Sequence, residues 1–292
     1  MRTKIEWADR VWNPVTGCTK VSEGCRNCYA ERMALRFWGA RKFHEVLCHE
    51  EKLEEPLHWM IPSRVFVNSM SDLFHPDVTD DFIWNVFSVM AQAEKHTFMI
   101  LTKRPQRMSD FLCQWENHFP VGRNNSVLHD WPLKNVWLGV SAENQQAADE
   151  RIPWLLKTPA VVRFVSVEPM LGPVNLEPYF QYPPFHENYK MTWGLSEAIG
   201  LDWVICGGET GPDARPMHPD WARGLLDQCL DAGVPFFFKH WGEWVAEYPQ
   251  GLSLANRKQT YAHNRTFYRV GKTIAGRMLD GREWNEFPVE ME

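Results

Sequence analysis

Hydrophobic and polar positions along the 292-residue chain fall into two alternating patterns. Short apolar, β-branched or aromatic runs recur, each ending in small or polar residues, as buried parallel strands do where they emerge into loops. Six are clear: Arg64 to Val67 before Asn68, Phe98 to Leu101 before Thr102, Val136 to Val140 before Ser141, Val161 to Val167 before Glu168, Trp203 to Cys206 before Gly207, and Val234 to Phe238 before Lys239. Lys4 to Trp7 reads as a seventh, shorter strand leading into a cysteine-bearing loop. Stretches of helical periodicity separate the runs. Pro219 to Ala232 carries Trp221, Leu225, Leu226, Cys229 and Leu230 on one face, with proline in its first turn and Gly233 just past its end. Phe82, Ile83, Val86, Phe87, Met90 and Ala93 form a second apolar stripe, entered through Thr79-Asp80-Asp81, whose side chains suit the free amides of a first turn.

The six strand ends fall at 67, 101, 140, 167, 206 and 238, in steps of 34, 39, 27, 39 and 32 residues. One βα unit of a barrel takes about 31 residues, so the pattern predicts an α/β fold, a parallel (βα) partial TIM-type barrel. Three regions break the rhythm. Trp115 to Lys134 and Asn175 to Gly200 read as irregular insertions of the kind that serve binding. The third follows Trp244: residues 249–279 hold Arg257, Lys258, Arg265, Arg269, Lys272 and Arg277 and no acidic residue. The expected division is a barrel over 1–244 and a basic, β-rich extension over 245–292.

Composition narrows the class. Hydrophobic residues make up 44% and charged residues 23%, as in ordinary globular proteins. The net charge of −6 excludes a protein that coats nucleic acid, so any such contact is local. No stretch reads as a signal peptide or membrane span, which makes a soluble, cytoplasmic protein without membrane contact the expectation. Tyr261, Phe267 and Tyr268 lie among the cations of the extension, a composition that suits stacking on nucleic acid and equally a β hairpin packed on the barrel. In the hairpin reading, Thr266 to Val270 and Lys272 to Arg277 are strand material.

Seven cysteines are too few and too scattered for a disulfide framework, but three crowd into Cys18-Thr-Lys-Val-Ser-Glu-Gly-Cys25-Arg-Asn-Cys28. Soft thiolates at this density suit an iron–sulfur cluster with one open coordination position, or a structural zinc with Cys48 or His44 as fourth ligand. A barrel gathers its chemistry at the carboxyl ends of its strands. Asn68, Ser69, Ser71 and Asp72 follow one strand, Thr102, Lys103 and Arg104 the next, then Ser141, Glu143 and Asn144, and finally Glu168, Glu209 and Lys239. Each of these also has a plain reading as a helix cap or loop salt bridge. Gly207-Gly-Glu-Thr-Gly211 reads as a backbone cradle for an anion or as a tight strand-to-helix turn.

Trp12-Asn-Pro-Val-Thr-Gly-Cys18, Phe66 to His75, Ser166-Val-Glu-Pro-Met-Leu-Gly172, Gly207 to Gly211 with Ala214-Arg-Pro216, Phe238 to Trp244 and Leu279-Asp-Gly-Arg282 together resemble a phage-associated family known by gene-product numbers thirty-seven and sixty-eight. That family is similar to radical S-adenosylmethionine enzymes of the spore photoproduct lyase-like branch. The resemblance implies a radical enzyme of lyase or transferase type, with a 4Fe-4S cluster held by Cys18, Cys25 and Cys28 at the barrel mouth. It further implies S-adenosylmethionine as cofactor near Tyr29, Asn68, Ser69, Asp72, Lys103, Ser141 and Glu143, with Glu168, Glu209 and Lys239 toward the substrate. Hydrogen abstraction from a nucleobase or nucleic acid, supplied by an electron donor, is the implied activity. The pattern departs from the usual one in two places. The cysteines are separated by six and two residues instead of three and two, and Asn27 stands where an aromatic residue usually precedes the last cysteine. Two other classes fit the sequence: a non-catalytic binding protein of phage or mobile-element origin stabilised by zinc or a cluster, and a barrel hydrolase using Glu168 and Glu209 as paired carboxylates.

Overall fold

The computed structural model describes residues 3–114, 131–180, 200–247 and 258–288. Seven strands, β1 (Arg10–Trp12), β2 (Arg64–Val67), β3 (Thr97–Thr102), β4 (Val136–Ser141), β5 (Val162–Val167), β6 (Trp203–Gly207) and β7 (Phe236–His240), form one sheet. Each pairs in parallel with the next in sequence. Such an order arises when every crossover has the same hand, which puts the helices on one face and curls the sheet into a partial barrel. The fold is the parallel α/β partial barrel that the hydrophobic pattern predicts.

Strand side chains alternate between two cores. Val65, Val67, Phe98, Ile100, Leu138, Val140, Val165 and Phe238 pack outward against the helices in the larger cluster. That layer includes α2 (Asp80–Gln92), α4 (Gln145–Lys157) and α5 (Pro219–Ala232), with α1 (Tyr29–Phe37) and α3 (Pro105–Cys113) completing the helices that concern the site. Helix α2 starts as the sequence suggests, with Thr79 Oγ1 accepting from the amide of Phe82. In α5, His218 accepts from the Asp220 amide, Pro219 occupies the first turn, and Gly233 ends the helix at φ 67°, a left-handed conformation that glycine adopts without strain. Leu230, expected on the buried face of α5, is exposed; Ala222 and Pro219 take that face instead.

The inner face is filled at its base by Trp7, Met99, Trp137, Phe164, Trp203, Ile205 and Phe237. Trp7 corrects the first strand assignment. Lys4 to Trp7 is not a strand; Trp7 lies 4.6 Å from Phe66 and 6.3 Å from Trp203, and the chain pairs only from Arg10 onward. Burying a ring of that size outweighs the few ladder hydrogen bonds available to so short a segment. Gly139 lets the Phe164 ring lie on β4: a Cβ there would sit 2.4 Å from it. Gly139→Ala is therefore expected to destabilise by about 1–3 kcal/mol through overpacking. Urea titration should give a lower midpoint with an unchanged slope.

Beyond the barrel, Trp244–Val245 pairs with Arg265–Arg269, which pairs with Gln259–Ala262 in a small antiparallel sheet. The hairpin is present, but Lys272–Ala275 is a helical turn, not a strand. Phe267 is fully buried against Ala214 and Trp244, so it is packing and offers no stacking face. Most of the 115–134 and 175–200 insertions lies outside the described residues. No described helix is long and apolar enough to cross a membrane.

Candidate metal and cofactor site at the sheet mouth

The cysteine loop leaves β1 through Gly17, whose φ of 97° and approach to the Glu45 carbonyl exclude a side chain. It runs over the carboxyl ends of the strands and ends at Cys28, the residue that precedes α1. Cys18, Cys25 and Cys28 line one cavity of about 200 Å³ together with Tyr29, Asn68, Ser69, Asp72, Lys103 and Ser141. Three thiols and all the cofactor-side candidates except Glu143 thus share a single space. His44 and Cys48 do not. Cys48 is exposed and pairs with Val15 in a two-residue ribbon, and His44 is also exposed. Among the described residues no three His, Cys, Asp or Glu side chains meet closely enough to hold a single metal ion.

The thiols differ in environment. Burial, reinforced by the Asp72 charge, pushes Cys18 up to about 11, although Arg104 Nη1 lies 3.5 Å from its sulfur. Burial also opposes ionisation of Cys25, but the Lys103 charge and hydrogen bonds from Val21 and Ser22 outweigh it and bring that thiol below its ordinary value. Asn68, at φ 60°, accepts from the Val15 amide through Oδ1, while its Nδ2 is buried with no hydrogen-bond partner. A buried unpaired donor on the wall of a cavity is costly unless a ligand accepts from it.

Arginines organise the carboxylates around this space. Asp72 accepts from Thr102 Oγ1 at 2.7 Å, the Lys103 and Phe74 amides, and Arg104 Nη1 at 3.0 Å. Arg104 in turn donates to Thr19 O and Oγ1 in the cysteine loop. Glu143, 2% exposed, is bridged by Arg151 at 2.9 Å and accepts from the Gly24 amide at 3.4 Å. Gly24 has no room for a side chain there, since a Cβ would lie 2.9 Å from Glu143 Cδ. Burial raises the Glu143 carboxyl, but hydrogen bonds from Arg151 and Ser22 and the charges of Arg151 and Lys103 prevail and hold it at about 2. Glu209 accepts from Arg215 Nε and Nη2 at 2.8 and 2.6 Å and from Asn27 Nδ2 at 3.0 Å.

Two of the three expected substrate-side residues pair with each other. Glu168 binds Lys239 Nζ through both oxygens at 2.8 and 2.9 Å, apart from the cysteine cavity and beside the buried His240. Glu209, kept ionised against its burial by Arg215 and Asn27, cannot serve as an acid near neutrality. Each glutamate of the suggested hydrolase pair is therefore neutralised by its own cation. In the Gly207–Gly211 turn the Gly208 amide donates to the His240 carbonyl and the Gly211 amide to Glu243, the Gly211 carbonyl accepts from Arg269, and Arg32 covers its α-carbon. Arg151, and the pairing of Arg215 and Asn27 with Glu209, escape sequence reasoning, because such partners lie far away in the chain or look like ordinary loop residues. The signal available was the carboxylate at each strand end, which when buried requires a cation.

Among solved structures, a cysteine-to-serine mutant of spore photoproduct lyase is similar at a TM-score of 0.41 and 13% identity, over 90% of this chain and 68% of that one. A double mutant of the same lyase with bound AdoMet and dinucleoside spore photoproduct gives 0.41 and 12%, over 90% and 68%. At these scores the site has to be read from the chain's own residues. No curated protein matches the sequence. The family match is extensive, for residues 2–288 fit the model of DUF5131, described as a protein of unknown function, and the chain belongs to that family.

Proposed function

We propose that this protein is a radical S-adenosylmethionine enzyme whose 4Fe-4S cluster is held by Cys18, Cys25 and Cys28. The observation that carries the proposal is that three thiols and, among the described residues, no fourth cysteine and no histidine line one cavity at the carboxyl ends of parallel strands. The donor set suits a cluster: soft ligands, the neighbouring cations Lys103 and Arg104, and an unpaired Asn68 donor on the wall. When bound, such a cluster gives one electron to S-adenosylmethionine and generates a carbon radical able to take hydrogen from a substrate. The chain's own residues have the remaining tasks. Lys103, in no ion pair with a described residue, is available to a carboxylate; Asn68 Nδ2 is available to an acceptor such as a ribose or carboxylate oxygen, and the Ser69 and Ser141 hydroxyls to an amine or a ribose. Phe43, Phe66 and Leu101 give the cavity an apolar wall.

Release of 5'-deoxyadenosine from S-adenosylmethionine by the reconstituted, reduced protein tests the proposal. Cluster-loaded protein that leaves the cofactor intact would refute it. A nucleic-acid substrate is the further part of this reading, with a separate electron donor. The extension offers exposed Lys258 and Tyr261 to such a substrate, while Arg265, Arg269, Lys272 and Arg277 are paired with Glu247, Glu243, Glu6 and Glu283. Tyr261→Ala should weaken salt-dependent oligonucleotide binding, and unchanged binding would remove the extension from the account.

A further inference from the structure

The loop segment that carries Cys25 is held at both ends by one half-buried ion pair, Arg215 with Glu209. Arg215 binds Glu209 through its amide, Nε and Nη2, and with the rest of its guanidinium reaches Glu23, donating from Nη1 to Oε1 at 2.8 Å and from Nη2 to the carbonyl at 3.1 Å. Asn27 donates from Nδ2 to the same Glu209 carboxylate at 3.0 Å and to the Asp213 carbonyl at 2.7 Å. Residues 23 and 27 are thus gripped from the end of β6, with Cys25 midway between them. Between these points Glu143 takes the Gly24 amide. If Arg215 served only to neutralise Glu209, its outer nitrogens would turn to solvent and not to a half-exposed glutamate 192 residues earlier in the chain. Pro216 restricts Arg215 to extended backbone, which lowers the entropic cost of holding this fork.

We propose that Arg215, acting through Glu209 and Glu23, is a positioning residue that fixes the cysteine loop in the shape that presents Cys25 to its metal centre. The role of that centre rests on the function proposed above; the tie itself does not, because every group in it belongs to the chain. Only arginine has donors spaced to hold a carboxylate on one side and both a carboxylate and a carbonyl on the other. The loop is therefore preorganised by the fold, in contrast to small metal domains that fold only when metal binds.

The test is amide hydrogen exchange across residues 22–28 in metal-free protein, followed by iron content and the electron paramagnetic resonance spectrum after reconstitution. Arg215→Ala should speed exchange in this segment about tenfold, as expected for loss of charge-assisted hydrogen bonds. It should also accelerate alkylation of Cys25, and Arg215→Lys should not restore either rate. Arg223→Ala, which removes the surface pair with Asp280, should leave the segment unchanged. Glu23→Ala removes only the side-chain contact on the loop side of the bridge at an exposed residue, so it answers the question if Arg215→Ala fails to fold. In reconstituted protein both variants should bind less iron than wild type and give a broadened spectrum. Unchanged exchange in folded variants, or faster exchange with wild-type iron content and spectrum, would overturn the proposal. Wild-type protein that takes up no iron would instead contradict the function proposed above, and the exchange result would still stand.

Discussion

Replacing Cys18, Cys25 or Cys28 singly with alanine should abolish cluster assembly and cofactor cleavage together, whereas Cys48→Ala should leave both intact. The three thiols share one cavity and Cys48 lies outside it, in the ribbon opposite Val15. A three-ligand centre has no spare thiolate, so each loss removes a third of the protein's ligands and the effect is all-or-none. The order of sensitivity to pH is also set. Cys18, pushed up to about 11, must release its proton to solvent as metal binds, whereas Cys25 starts below its ordinary value. Reconstitution should accordingly proceed more readily as pH rises. Optical spectra and iron assays of the four variants give the answer, and metal retention that depends on Cys48 would count against the open-site arrangement.

Glu143→Ala should destabilise the fold by about 3–5 kcal/mol, because it leaves the Arg151 guanidinium buried without its carboxylate. It also frees the Gly24 amide, so the loss reaches the cysteine loop. The pair carries a pH signature. Glu143 is held at about 2 in the folded protein against 4.5 ordinarily. Its contribution is complete above the ordinary value and is lost as pH falls through the range between the two, about 3 kcal/mol in all. Urea titrations from pH 7 to pH 3 should show wild type losing stability below pH 5 more steeply than Glu143→Gln. Parallel curves would mean that the pair contributes nothing to acid sensitivity.

Strand and helix positions were legible because each depends on a local pattern: a short run of mostly apolar residues in Val162 to Val167, period 3.6 in Phe82 to Met90. The misassigned Lys4 to Trp7 has strand-like residues, but Trp7 is claimed by rings from Phe66, Phe164 and Trp203, which are distant in sequence. Lys272 to Ala275 fails as a strand for a similar reason: Lys272 reaches Glu6 at the opposite end of the chain. The candidate site divides along the same line. Cys18, Cys25 and Cys28 are close in sequence, and that they line one cavity could be anticipated from spacing alone. That Glu143 and Glu209 brace the cysteine loop could not, since it depends on contacts to Gly24 and Asn27 across 119 and 182 residues. Strand-end carboxylates looked like ligand contacts because sequence reports their chemistry but not the arginine already beside them.

The proposed function requires an iron–sulfur cluster in the cysteine loop. Its most direct test is metal and acid-labile sulfide analysis of protein purified and reconstituted without oxygen. About four irons and four sulfides per chain are predicted, falling to background in Cys25→Ala. One zinc per chain with no sulfide, retained by Cys25→Ala, would contradict it.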